Sequence, residues 1–260
     1  MMGSRVRMES SEGIALVTID NPPLNVLSSQ VVKEMGEIFQ QLREDQDVRV
    51  IILTSAGEKA FMAGADIKEF PEWLGNKEMK KIVQMNHQLF HEIESCPKPV
   101  IASLNGLTLG GGCELALTCD LRIAEEHVRL GFPEVKLGIF PGGGGTQRLP
   151  RLIGAARALE MMFTGETITA EEALKIGLVN KVTPSGKGLD CAKQLAMKLA
   201  AYSLKSLSSI KRAVQYAANH SLEMGISFEL ELFCQIFQTE DAKEGIQAFI
   251  EKRSPLFQHK

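Results

Sequence analysis

The sequence predicts an α/β fold that gives way to an all-helical C-terminal stretch, on three observations. Short β-branched runs alternate with amphipathic helical patterns through the first half of the chain. A strand, glycine loop and helix then recur about fifty residues apart, which favours stacked turns of sheet and helix over a doubly wound sheet. From Leu189 onward no strand pattern remains.

Taken in order, Ile14 to Ile19 reads as a strand, ended by Asn21-Pro22-Pro23 because two prolines cannot donate to a ladder. Ser28 or Ser29 caps a helix over about 31–42, with Val31, Met35, Ile38 and Leu42 on one face. Val48 to Thr54 is a second strand, followed by Ala63-Gly64-Ala65 in a glycine turn. The pattern repeats as a helix near 79–93, a strand at Val100–Ser103 and a glycine loop over Gly106–Gly112. Beyond Glu160 the chain reads as mostly helical. Thr169 and Glu172 form a capping box for a helix ending near Gly177. Helices then follow at about 191–201, 206–218, 222–237 and 241–252. Phe228, Leu232, Ile236 and Phe237 need burial against the body or another subunit.

With 260 residues the chain can form one sizeable α/β domain with an appendage, or two small domains. Its net charge of −3 argues against a general nucleic-acid surface, though a few local cations could still hold one polyphosphate ligand. No apolar run approaches the length of a membrane span, and Met1 to Arg7 lacks the apolar core of a secretory signal. The five cysteines are scattered and show no CxxC spacing, so neither zinc nor a disulfide framework is expected. A reduced, cytoplasmic protein is the simplest expectation.

The chemistry concentrates on two glutamates in glycine frames. Glu114 ends Gly110-Gly111-Gly112-Cys113-Glu114, and Glu134 lies in Gly131-Phe132-Pro133-Glu134, soon followed by Gly142 to Gly145. Two carboxyl groups beside a backbone-lined anion site can move protons while that site stabilises negative charge. Gly110 to Gly112 precede an apolar helix whose unsatisfied N–H groups and dipole favour an anion. Ala63-Gly64-Ala65 could present a second donor. Competing readings are weaker. The GxGxxG dinucleotide pattern fails after Gly106, and Gly142–Gly145 lacks the Lys-Ser/Thr ending of a P-loop. His87 and His91 stand four apart but have no third ligand nearby, so a solvated helix face is expected there.

As an ordered set, the segments Phe61–Lys68, Asn105–Leu115 and Phe132–Leu149 closely resemble the crotonase (enoyl-CoA hydratase/isomerase) superfamily. The likeness continues through Leu159–Gly165 and Ala173–Val179 and reaches Glu240–Gly245. It implies a crotonase-type spiral of ββα turns over 1–200, carrying the CoA site and active site, and a helical trimerisation region over 201–260. It also implies a homotrimer, or a homohexamer made of two trimers.

The oxyanion hole of that family falls here on the N–H groups of Ala65 and Gly111. The two acid–base residues fall on Glu114, assigned to activating water, and Glu134, assigned to protonating C2 of a 2-enoyl-CoA thioester. Substrate contacts are expected at Ala63, Gly64, Asp66, Ile67, Lys68 and Gly110, with Phe249 and Lys252 reaching the nucleotide, often from a neighbouring subunit. Pro22-Pro23 departs from the pattern, because many hydratases carry a basic CoA contact in that segment.

Isomerases of the family usually keep an acid only at the Glu134 position, so the pair favours an enoyl-CoA hydratase without metal or redox cofactor, CoA being part of the substrate. Enoyl-CoA isomerisation, or hydration of a branched or dicarboxylic enoyl-CoA, is the alternative. A non-catalytic acyl-CoA- or RNA-binding scaffold is a further one. The acyl-pocket wall is expected over Glu69–Gly75.

Overall fold

The computed structural model describes residues 3–259. Two sheets run through the first part of the chain. One has six strands in the order β1 (Val6–Ser11), β2 (Ile14–Ile19), β3 (Val50–Ser55), β5 (Val100–Leu104), β7 (Leu121–Glu125), β10 (Lys181–Thr183). The other has four, in the order β4 (Ala60–Ala63), β6 (Leu107–Leu109), β8 (Arg129–Gly131), β9 (Thr167–Thr169). β3, β5 and β7 pair in parallel in the first sheet, and β4, β6 and β8 pair in parallel in the second. After the β1–β2 hairpin, each of the pairs β3–β4, β5–β6 and β7–β8 thus contributes one strand to each sheet before the chain enters a helix. That arrangement is a spiral of ββα turns.

The helices closing these turns are α1 (Ser29–Glu44), the short α2 (Phe70–Trp73), α3 (Met79–Glu94), α4 (Gly111–Thr118) and α5 (Gly145–Ile153). A 3-10 helix, Pro133–Leu137, lies between β8 and α5. α6 (Ala155–Thr164), α7 (Ala170–Lys175) and α8 (Gly188–Ala200) follow, then α9 (Leu204–Ala217), α10 (Leu222–Ile236) and α11 (Glu240–Glu251).

β3 and β5 are buried along their whole length, as parallel strands covered on both faces must be. The alternation of side chains sends Ile51, Leu53, Val100 and Ala102 into the main core. Val50, Ile52, Ile101 and Ile123 face Ala192, Ala196 and Ala200 of α8. Asparagines tie the corners between paired strands. Asn25 Nδ2 donates to the carbonyls of Ala56 and Ala60, and Asn105 Nδ2 donates to those of Ser55 and Gly57. Such bonds satisfy carbonyls that a bend takes out of the ladder.

Ser28 caps α1, its hydroxyl accepting from the Val31 N–H, and the Thr169–Glu172 capping box is formed. The glycine loop expected over Gly106–Gly112 is replaced by β6 and the start of α4, since pairing with β4 and β8 makes a strand of Leu107–Leu109. α9 is pinned to the spiral. Lys211 Nζ pairs with Asp120 at 2.8 Å, Ser208 Oγ donates to the Pro97 carbonyl, and Gln215 Nε2 donates to the Glu94 carbonyl. On α10, Leu232 is buried, Phe228 stacks on Tyr216, and Phe237 is 52% exposed. Among the described residues no helix is long and apolar enough to cross a membrane.

Candidate active site

Three neighbouring strand ends build the site. Ala63, Leu109 and Gly131, the last residues of β4, β6 and β8, stand side by side in register. Just beyond them the chain carries Gly64-Ala65, Gly110-Gly111 and the Phe132–Glu134 segment. The crevice outside the carboxyl ends of parallel strands is a common place for ligands.

Gly112 lets α4 lie against β4, because a Cβ there would come within 2.8 Å of the Met62 carbonyl carbon. This places Glu114 in the first turn of α4, 4% exposed. Its Oε1 accepts from the N–H groups of Gly143 (2.7 Å) and Gly145 (2.8 Å). Gly145 is the first residue of α5, so the carboxylate also faces the positive end of that helix. Oε2 makes no hydrogen bond among the described residues. Burial pushes the Glu114 carboxyl above its usual range, while the two N–H groups and the Arg148 guanidinium oppose that rise.

Glu134 enters from the 3-10 helix. Its Oε1 lies 2.7 Å from where a Gly110 Cβ would stand, and its Oε2 is buried without a partner. Burial, reinforced by the Glu114 charge, pushes this carboxyl up to about 7. The two acids therefore sit in different surroundings, one held by two backbone N–H groups of another segment and one with a buried oxygen left without a partner. Such a split is how neighbouring carboxyl groups take opposite proton-transfer roles.

Opposite them, Leu27 bridges to Ala65 through the Gly64 carbonyl and the Asp66 N–H, which leaves the Ala65 N–H on the other side. Gly111 is the first residue of α4, and its Cβ position is 3.5 Å from the Ala65 nitrogen. Among the described residues neither N–H donates to a protein acceptor.

The remaining expected contact residues divide into two groups. Ala63, Gly64, Asp66, Ile67 and Lys68 lie at the end of β4 and just beyond it, next to the strand that leads into Gly110. Asp66 Oδ1 accepts from the Lys68 N–H, Ile67 is 59% exposed, and Lys68 is exposed too. Phe249 and Lys252 are not brought to the glutamates. They sit at the end of α11, whose Asp241 accepts from the N–H groups of Gln258 and His259, and Phe249 is 85% exposed. His87 and His91 lie on the exposed face of α3. Within Glu69–Gly75, Phe70 and Trp73 pack their rings 4.8 Å apart, and Glu69 accepts from the Ser29 N–H and hydroxyl.

Two features escape sequence reasoning. An apolar cavity of about 410 Å³ is lined by Val135, Ile139, Pro141, Met162 and Phe163 among others. Arg148 forms a two-pronged pair with Glu94 (Nε to Oε1 3.0 Å, Nη2 to Oε2 2.8 Å) and reaches the Gly143 carbonyl. The sequence signal for the pair is absent, because its partners lie on separate helices.

The Enoyl-CoA hydratase/isomerase family model matches residues 9–260. The chain is 43% identical over 251 residues to the Short-chain-enoyl-CoA hydratase of Clostridium acetobutylicum, covering 96% of each protein. It is 38% identical over 258 residues to the Crotonyl-CoA hydratase of Syntrophomonas wolfei, covering 99% of each. The crystal structure of an enoyl-CoA hydratase from Bacillus anthracis superposes with a TM-score of 0.94 at 39% identity, over 98% of this chain and 100% of that one. Strand ends, glycine-framed acids and full-length likeness agree, and the chain belongs to the enoyl-CoA hydratase/isomerase family.

Proposed function

We propose that this chain is an enoyl-CoA hydratase that adds water reversibly across C2–C3 of a 2-enoyl-CoA, giving a 3-hydroxyacyl-CoA in fatty-acid or related acyl-CoA degradation. The observation that carries this is the unequal carboxyl pair beside two unengaged N–H groups. The N–H groups of Ala65 and Gly111 hold the thioester oxygen and stabilise the enolate-like charge that develops on it. Water bonds to C3 as Glu114 takes its proton, and Glu134 delivers a proton to C2. Glu114 is then protonated and Glu134 ionised, and a proton exchange restores the starting state. An acid at both positions favours hydration over isomerisation.

The reaction needs no redox cofactor or metal, since CoA enters as part of the substrate. Lys68 is suited to a CoA phosphate as a point charge on a flexible stem. Ala63, Gly64, Asp66, Ile67 and Gly110 frame the thioester end. Phe249 and Lys252 reach the nucleotide of a neighbouring subunit's substrate. Residues 1–200 form the catalytic spiral and 201–260 the trimerisation region of a cytoplasmic homotrimer or homohexamer. Support comes from the apolar stripe Leu222, Ile226, Leu230, Phe233 and Phe237 on α10, each at least half exposed in the single chain. Contiguous exposed apolar surface of that kind marks an interface.

The test is hydration of crotonyl-CoA, followed as loss of the conjugated thioester absorbance. Glu114→Gln and Glu134→Gln are each expected to lower turnover about 10²–10⁴-fold while acyl-CoA binding persists. Near wild-type turnover in either variant would overturn the two-carboxylate mechanism. Sedimentation of a stable, active monomer at micromolar concentration would remove the trimer.

A further inference from the structure

We propose that Arg148, held by Glu94, is a positioning residue that clamps the Gly143–Gly145 turn and through it fixes the orientation and charge of the Glu114 carboxylate. The inference rests on the reading of Glu114 as the group that deprotonates water. Gly143 is gripped at both ends, its N–H donating to Glu114 Oε1 and its carbonyl accepting from Arg148 Nη1. Four successive glycines, Gly142 to Gly145, have little conformational preference of their own. A turn of that composition needs an outside hold to keep two N–H groups on one oxygen.

Arg148 supplies the hold with a planar fork that a lysine cannot copy. Its side chain is 19% exposed, and the Nε–Nη2 edge of the guanidinium is spent on Glu94, leaving Nη1 for the Gly143 carbonyl. Glu94 is in turn set by α9, whose Gln215 donates to its backbone carbonyl. With Oε1 pinned by two donors, Oε2 is left as the oxygen that can meet water.

The charges around Glu114 are unfavourable apart from this one. Glu134 faces it from the 3-10 helix and Glu94 stands behind the guanidinium, while burial keeps the Cys113 thiol neutral. Arg148 is the cation that opposes the burial of Glu114. Its loss would release the Gly143 carbonyl and make the Glu114 carboxyl easier to protonate.

The experiment compares Arg148→Gln, Arg148→Lys and Glu94→Gln with the unaltered enzyme on crotonyl-CoA across pH. An unaltered enzyme that hydrates no member of a panel of 2-enoyl-CoA thioesters of increasing length refutes the functional reading itself. Given an active enzyme, Arg148→Gln is expected to lower kcat about ten-fold or more at pH 7 by misplacing the base. The acid limb of its kcat profile should move up by about one pH unit. KM should stay within about two-fold, because the thioester contacts are untouched.

Arg148→Lys is expected to keep the acid limb near its original place yet still lose turnover. Glu94→Gln should lose turnover without an upward move of the limb, since an anion rather than a cation is removed. The proposal is overturned by an Arg148→Gln enzyme with an unmoved limb and kcat within about two-fold of the original. Should that variant not fold, original turnover in both Arg148→Lys and Glu94→Gln overturns it equally.

Discussion

Gly110 leaves the space beside it to the carboxyl of Glu134. The Cβ that any other residue would place at 110 falls 2.7 Å from Glu134 Oε1 and 3.2 Å from its carboxyl carbon. Gly110 also has φ +50, outside the comfortable range of L-residues, while its N–H is bonded to the Gly131 carbonyl.

Gly110→Ala should therefore damage chemistry more than fold. The methyl meets the movable end of a side chain, so the carboxyl swings away while the backbone holds. The backbone there, φ +50 and ψ −120, lies outside the left-handed helical region and adds a cost of about 1–3 kcal/mol for a residue with a Cβ. Turnover of crotonyl-CoA is expected to fall about 10²-fold, with oligomeric state kept and melting lowered by a few degrees. Unchanged kcat would show that Glu134 does not depend on this contact.

Gly112→Ala should do the reverse. Its methyl would press on the backbone of Met62, which cannot rotate out of the way. Overpacking of this kind costs about 1–3 kcal/mol or more, so a melting loss of roughly 5–10 °C or failure to fold is expected. A calorimetric scan of the two variants side by side checks the contrast.

The raised Glu134 carboxyl has a signature in stability against pH. The folded chain keeps this proton up to about 7, whereas an unfolded chain releases it near the ordinary value of 4.5. Folding therefore binds protons in that window, and this group's contribution is full below 4.5 and lost as pH rises through about 7. Glu134→Gln removes the dependence. Its stability relative to the original should grow across the window to on the order of 1–3 kcal/mol and then level off. Denaturant melts at pH 4.5, 6 and 8 measure it, and a constant difference would mean that Glu134 is solvated.

Sequence reasoning reached the elements whose signal is local. Ile14–Ile19 is β2 as expected, Ser28 caps α1, and Thr169 with Glu172 closes the capping box. The first strands of two turns, β3 and β5, were visible because their runs of β-branched and apolar residues are hard to place elsewhere, whereas β7, with Arg122 and Glu125 in it, was not. The second strands were not. β4, β6 and β8 have three or four residues each and are bounded by glycines, so their pattern matches a loop until neighbours pair with them. The glutamates stood out through their glycine frames. The use of the Gly143 and Gly145 N–H groups to hold Glu114, rather than a ligand, is a contact between distant segments with no local mark.

Lys211→Met should loosen the helical region from the spiral. The Lys211–Asp120 pair is largely buried, and burial already pushes the Asp120 carboxyl up against the pull of Lys211. Losing one partner of such a pair costs about 1–3 kcal/mol once partial exposure is allowed for. Melting should drop by several degrees, and limited proteolysis should cut first between α8 and α9. Cleavage elsewhere would show that α9 is held by its other contacts.

The register that sets Ala63, Leu109 and Gly131 abreast acts as a ruler. Adjacent strands lie about 4.8 Å apart. The spans from the Ala65 donor to the Gly111 donor, and from Glu114 to Glu134, are thus counted in strand widths. Loops after β4 can lengthen, shorten or change composition without altering that count. The fold therefore separates two kinds of change: the loops after β4 are free to vary, while the spacing of the strand ends is set by the hydrogen-bonded ladder beneath.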